Sequence, residues 1–356
     1  MSIDSNIREY IAKFGFIKID ELMHQALAMN ESSYYRHQKF IGSQGDFITA
    51  PEISQLFGEI IGLWCIDNWY KLNCPKNINL VELGPGRGIL MSDILRIAKL
   101  VPEFYNSLNI VLVEINLEFI KQQKANLSKF KLGIQWVDGI SKIPSYPTIF
   151  IANEFFDAMP IKQFIRASKN SWQEQVLVIN KHNQLQYDTI DISLEQEDHL
   201  SIKYPKAHIG NIVEQSLVAE KILRSIIEQI KNYNGGFLII DYGYYIEPSR
   251  RTNQQFRSTL QAVKDHKYQS QFINLGKADL SAHVDFFNLE TIILRNLINC
   301  NYTSQREFLI KNGILIREAQ LKKTTSTAIF QIIEKQVSRL ISTEQMGALF
   351  KVLHSL

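Results

Sequence analysis

The sequence predicts an α/β fold built on a parallel sheet, and three observations carry that expectation. From Ile78 onward, short apolar runs alternate with helical segments, the rhythm of βαβ units with right-handed crossovers. A glycine-rich turn, Gly84-Pro85-Gly86-Arg87-Gly88, joins the first of these strands to a helix. Carboxylates stand at three successive strand ends (Glu82, Glu114 and Asp138), on the edge where open α/β sheets bind ligands.

Composition narrows the class. The chain has 356 residues, 45% hydrophobic and 21% charged, which is globular usage and excludes a disordered tail. Lys+Arg 39 against Asp+Glu 36 leaves +3, too mild to announce a nucleic-acid or membrane-surface partner. Cys65, Cys74 and Cys300 form no CxxC pair, so a reducing compartment is expected. The longest apolar stretch, 58–70, is broken by Glu59 and Asp67, so no membrane span is expected. The first residues lack signal- or transit-peptide character, which favours a bacterial cytoplasm over the mitochondrial matrix.

Ile7, Tyr10, Ile11 and Phe14, then Ile19, Leu22, Met23 and Ala26, keep helical spacing and predict a helical N-terminal extension. Thr49 precedes Glu52 by three residues, the spacing of a capping box, with Pro51 in the first turn. The helix opened there is expected to run unbroken through Ile53, Phe57, Ile61 and Cys65. Strands follow at 78–83, 110–114, 134–137 and 148–152, with a helix after each of the first two. Residues 161–205 read as antiparallel strands with polar turns, and 212–230 as a helix. A strand ends at Asp241, helices dominate from about Leu289, and the final strand lies in 349–355. The expected layout is a helical extension over 1–75 and one α/β domain over 76–356, with insertions at about 161–205 and 244–345.

The glycines at 84, 86 and 88 permit a tight turn and close backbone approach to a ligand, and the helix N-terminus adds donors. Ile89 stands where a dinucleotide fingerprint needs its third glycine, and no Gly-Lys-Ser/Thr is present. G-x-G-x-G after an acidic strand end suits S-adenosylmethionine, whose ammonium Glu82 can meet. Glu114 can accept both ribose hydroxyls, and Asp138 the adenine amino group. Each carboxylate alone is equally readable as a solvated strand end.

The strings GDFITAPEISQLFGEIIG, VELGPGRGILMSDILR, ANEFFDAMPIKQF, GGFLIIDYGY, DLSAHVDF and MGALFKVL occur in this order across nearly the whole chain. They resemble the MidA family of class I methyltransferases, the family of the mitochondrial complex I assembly-factor methyltransferase. The resemblance implies a seven-stranded, Rossmann-like methyltransferase sheet and S-adenosylmethionine as cofactor. It implies a protein arginine as acceptor, on a core subunit of respiratory complex I. The chain departs from the family at RSTLQAV, which lacks a glycine before Thr259, at GKADLS, and at SSYY.

ANEFFDAMP follows the fourth strand, where this fold class commonly places its catalytic loop. Asn153, Glu154 and Asp157 are therefore the catalytic candidates, with Glu154 as a clamp on the guanidinium. The bland alternative is a polar turn in which Asn153 and Asp157 cap a following helix. Gly45, Asp46, Thr49 and Pro51 are candidates for a lid or substrate wall by resemblance, and Asp241 for the same cleft. His283, Ser281 and Asp285 invite a hydrolase or metal reading. No nucleophile elbow or second histidine at ligand spacing accompanies them, so no metal site is expected. The alternatives to an arginine methyltransferase are a small-molecule or RNA acceptor, or a chaperone that binds the cofactor without chemistry. A homodimer is left open.

Overall fold

The computed structural model describes residues 3–27, 49–264, 267–270, 272, 275 and 278–355. Its frame is a sheet of seven strands: β1 (Ile78–Leu83), β2 (Leu108–Val113), β3 (Ile134–Val137), β4 (Thr148–Asn153), β5 (Gly235–Tyr244), β6 (Asn301–Ser304) and β7 (Phe350–His354). Their spatial order is β6-β7-β5-β4-β1-β2-β3. Neighbours from β5 to β3 pair in parallel, whereas β7 runs antiparallel to both β5 and β6. Val284–Asp285 adds a short parallel pairing at the end of β5.

The strands are apolar because both faces are covered. Leu80, Ile110, Ile149, Ile151, Leu238 and Ile240 pack on one face with the helices Gln55–Lys71 and Ile89–Ala98. Val81, Leu83, Val111, Phe150, Phe237 and Ile239 fill the other with the helices Leu217–Tyr233 and Phe286–Arg295. Period-two alternation along each strand divides these sets.

The N-terminal helices Ile3–Phe14 and Ile19–Leu27 form as expected, but they pack elsewhere. Ile7, Ile11, Leu22 and Met23 bury against Leu177, Leu185, Leu260 and Leu280, a core separate from the central sheet. Ile17–Lys18, between these helices, pairs antiparallel with Trp172–Ile179 of the inserted antiparallel sheet. The other strands of that sheet are Lys162–Arg166, Leu185–Asp191 and Ile212–Gln215.

Four local expectations are corrected. Ser54 adopts an extended backbone (φ −151°, ψ 129°) that splits the predicted long helix into Ala50–Ile53 and Gln55–Lys71. The Ser54 side chain then caps the second helix by accepting the Leu56 N–H, so the break is stabilised locally. No capping box forms at Thr49, whose side chain makes no cap bond. Glu52 turns instead to Arg87, 3.4 Å away. Residues 212–215 are a strand rather than the first turn of a helix, because Val213 pairs with Phe164 and the helix begins only after Ser216. β6 was not foreseen within the C-terminal helical region, since Asn301–Ser304 is too short and polar to show a strand pattern.

Candidate active site

The order of strands reverses between β1 and β4, and such a switch point opens a crevice at the carboxyl ends of the strands. The two predicted loops flank it: 84–88 follows β1, and 153–157 follows β4.

All three glycines of the first loop have positive φ (59°, 51° and 76° at Gly84, Gly86 and Gly88), which a side chain rarely tolerates. A Cβ on Gly84 would lie 2.8 Å from the Phe155 ring, so the glycine loop and the 153–157 loop touch at this point. Glu82, at the end of β1, is 3% exposed. Burial pushes its carboxyl up to about 8, the Met91 backbone opposes the rise and Glu114 adds to it. Among the described residues, Glu82 Oε2 accepts no hydrogen bond. A buried carboxylate oxygen with spare capacity fits the ammonium of an S-adenosylmethionine chain.

Glu114 Oε1 accepts the N–H groups of Ile115 and Asn116 at 2.9 and 2.8 Å, which orients the carboxylate after β2. Burial raises its pKa, against these bonds and that from Gln123. Two carboxylate oxygens still leave acceptor capacity for hydroxyls. Asp138 is not brought in with them: its side chain is 61% exposed and pairs with Lys142 Nζ at 2.8 Å, which lowers its pKa.

Gln123 escaped the sequence reading. It is fully buried, and Nε2 donates to Gly86 O at 2.7 Å and to Glu114 Oε2 at 3.3 Å. Its Oε1 accepts from Trp136 Nε1 at 2.8 Å. One amide thus ties the glycine loop, the ribose candidate and β3 together. The signal was present: Gln123 lies midway between Phe119 and Leu127 on the buried stripe of one helix, where a polar residue needs a reason. Replacing it by leucine leaves Gly86 O, Glu114 and the Trp136 N–H short of partners. Cofactor affinity measured by calorimetry is expected to weaken by about 1–3 kcal/mol.

In the 153–157 loop, Glu154 has φ +49°, a strained conformation for a residue with a side chain. Its Oε1 accepts from Ala50 N at 3.0 Å and Asn153 Nδ2 at 3.3 Å. Burial first, then Asp157 and Glu52, push its pKa up to about 8, opposed by the bonds from Ala50 and Asn153. Asp157 is 7% exposed and is pushed up to about 6 by burial, against hydrogen bonds that include one from Tyr242. Asn153 Oδ1 and Asp157 Oδ1 accept nothing among the described residues. No helix follows this loop, so Asn153 and Asp157 are not caps; the chain continues through a turn into Lys162–Arg166.

The 49–52 segment reaches both loops, through the Ala50 bond to Glu154 and the Glu52 pair with Arg87. A cleft of about 340 Å³ lies between Pro51, Glu52 and Gln55 on one side and Arg87, Ile89 and Asp93 on the other. Gly45 and Asp46 lie outside the described residues. Asp241 does not line the cleft as expected. It is fully buried, and its oxygens are taken by backbone N–H groups of residues 155–157 and 242. His283 lies edge-on to the Tyr242 ring at 5.6 Å, and its backbone N–H donates to Thr259 Oγ1.

Among the described residues, no helix is long and apolar enough to cross a membrane. Residues 60–301 match the family Methyltransf_28, described as an S-adenosyl-L-methionine-dependent methyltransferase. The chain is 33% identical to the protein arginine methyltransferase NDUFAF7, mitochondrial, of Xenopus tropicalis, over 96% of this chain and 82% of that one. It is 28% identical to the Homo sapiens protein of the same name, over 96% of this chain and 80% of the other. Its fold matches a COG1565 superfamily member and likely methyl transferase from Burkholderia thailandensis, in a crystal structure bound to S-adenosyl-homocysteine. That match has a TM-score of 0.85 at 22% identity, covering 99% of this chain and 92% of that one. The chain belongs to this family of S-adenosyl-L-methionine-dependent methyltransferases, with S-adenosyl-L-methionine as its cofactor and the class I methyltransferase sheet as its frame.

Proposed function

We propose that this methyltransferase modifies a protein arginine and, on the MidA pattern, that the arginine belongs to a core subunit of respiratory complex I whose assembly it aids. The observation that carries the reading is the pair Glu154 and Asp157. Both carboxyls are desolvated and held above their usual range, beside the cofactor loop. Relatives named protein arginine methyltransferase support it.

S-adenosyl-L-methionine supplies an electrophilic sulfonium methyl when bound. The chain's own task is then mainly positioning for an in-line displacement. In this reading Glu82 holds the ammonium, Glu114 the ribose hydroxyls, and Asp138, released from Lys142, the adenine amine. A guanidinium keeps its proton and delocalises its lone pair. Glu154 accepts from its N–H groups, fixes its plane and draws positive charge away from the nitrogen that receives the methyl. Asn153 braces Glu154, and Asp157 receives the proton that the nitrogen gives up. Thr49 and Pro51 form part of the wall over the acceptor.

The test is methyl transfer from isotope-labelled S-adenosyl-L-methionine into lysate of cells lacking this gene, with the labelled site located by mass spectrometry. Label on arginine of one complex I subunit is expected. Label on RNA or a small molecule, or no label despite tight cofactor binding, overturns the arginine reading.

A further inference from the structure

We propose that Asp241 is a positioning residue for methyl transfer, a buried carboxylate that holds the acceptor loop and so sets where Glu154 stands. This rests on the reading of Glu154 and Asp157 as the groups that meet the acceptor.

Three consecutive N–H groups converge on one oxygen. Asp241 Oδ2 accepts from Phe155 at 3.2 Å, Phe156 at 2.9 Å and Asp157 at 3.1 Å, while Oδ1 accepts from Tyr242 N at 2.9 Å. Successive backbone donors arranged in this way form an anion nest. The loop is also held by Glu154 N donating to Ile240 O at 2.9 Å and Ala282 N donating to Asp157 O at 2.9 Å. The strained Glu154 backbone therefore sits between a strand bond on one side and the nest on the other. Strain of this kind persists only where surrounding bonds over-determine it.

A charge is a costly way to hold a turn here. Asp241 faces Asp157 and Glu154 from the loop, and Glu154 in turn faces Glu52. Tyr242, its neighbour on β5, faces Asp157 and Asp279. Lys351, its cross-strand partner on β7, turns to the Ala348 carbonyl instead. Burial and the two acidic neighbours hold Asp241 above its usual range, against the backbone bonds. Like charges so close raise one another's pKa. A site that gathers such charge is suited to a cationic acceptor, and Asp241 contributes without touching it. Removing its charge frees the loop and also lowers the pKa of Asp157 and Glu154.

The test uses the full chain carrying Asp241→Asn and, separately, Asp241→Ser. Cofactor affinity is measured by calorimetry, and transfer of labelled methyl into lysate protein from cells lacking the gene is followed across pH. The carboxyl carbons of Asp157 and Glu154 are titrated by NMR. Affinity is expected to be retained while the transfer rate falls about tenfold to a hundredfold, the scale of a small misplacement at a reacting centre. The acid limb of the rate and both carboxyl midpoints should move to lower pH. Unchanged rate and midpoints with affinity retained would overturn the proposal. So would parallel loss of fold and cofactor binding in both variants, which would make Asp241 a support of the fold alone. If the wild-type chain transfers no methyl to arginine, the functional reading fails by itself, and the carboxyl titration still decides the role of Asp241.

Discussion

Glu154→Gln is expected to lower methyl transfer about 10²–10³-fold, the usual scale for removing one preorganised electrostatic group. Cofactor binding should survive, because Glu82, Glu114 and Gln123 form the other side of the crevice. The substitution keeps the shape of the side chain and leaves an oxygen for the Ala50 N–H. What disappears is the charge that localises the guanidinium and the second acceptor that fixes its plane. Single-turnover transfer of label, with calorimetry on the same preparation, separates the two effects. A variant that binds cofactor and transfers methyl at the wild-type rate would remove Glu154 from the chemistry. It would also strengthen the chaperone alternative if complex I assembly were rescued.

Cofactor affinity is expected to fall toward tenfold for each pH unit below the Glu82 midpoint, so that pH 6 is about fiftyfold worse than pH 8, where half of the carboxyl is already protonated. Glu82 is held up to about 8 chiefly by burial, so near neutral pH it is mostly protonated in the ligand-free chain. Meeting an ammonium requires the ionised form, and binding must therefore release a proton. The sign for stability is opposite to that of an ordinary salt-bridged acid. The folded chain binds this proton up to about 8, whereas the unfolded chain gives it up near the usual 4.5. Between those values the folded chain binds more protons, so rising pH destabilises the ligand-free protein. Calorimetry in buffers of different ionisation heat counts the released proton. Glu82→Gln should flatten both pH dependences, and a wild-type affinity independent of pH would mean that Glu82 does not meet the ammonium.

Much of the central sheet was legible because its strands are buried on both faces. Ile78–Leu83 reads as a short apolar run interrupted only by Asn79 and Glu82, Thr148–Asn153 as the apolar run 149–152 between two polar ends, and the glycine spacing marked the turn that follows the first. The candidate acceptor loop was legible as a string, ANEFFDA, but its bonds were not. Nothing in the local pattern indicates that Asp241, some 85 residues further on, would be spent on three N–H groups of that loop. Thr49 and Glu52 had the spacing of a capping box, yet the glutamate turned to Arg87, some 35 residues further on, and not to the helix N-terminus.

By itself the sequence determined the parallel α/β frame, the glycine turn after its first strand and the family, because these depend on residue type at short spacing: apolar periodicity, glycines where φ is positive, long motif strings. Only the tertiary structure decided which distant groups share a site. It packed the helices of 3–27 with the insertion near residue 177 rather than with the central sheet, since their apolar faces match that separate core. It placed Gln123 under the glycine loop, turned Asp138 outward to Lys142, and set Asp241 beneath Glu154. The physical reason is common to all of these. A buried polar group takes whichever partner the fold brings within about 3 Å, and that choice is made by chain segments far apart in sequence.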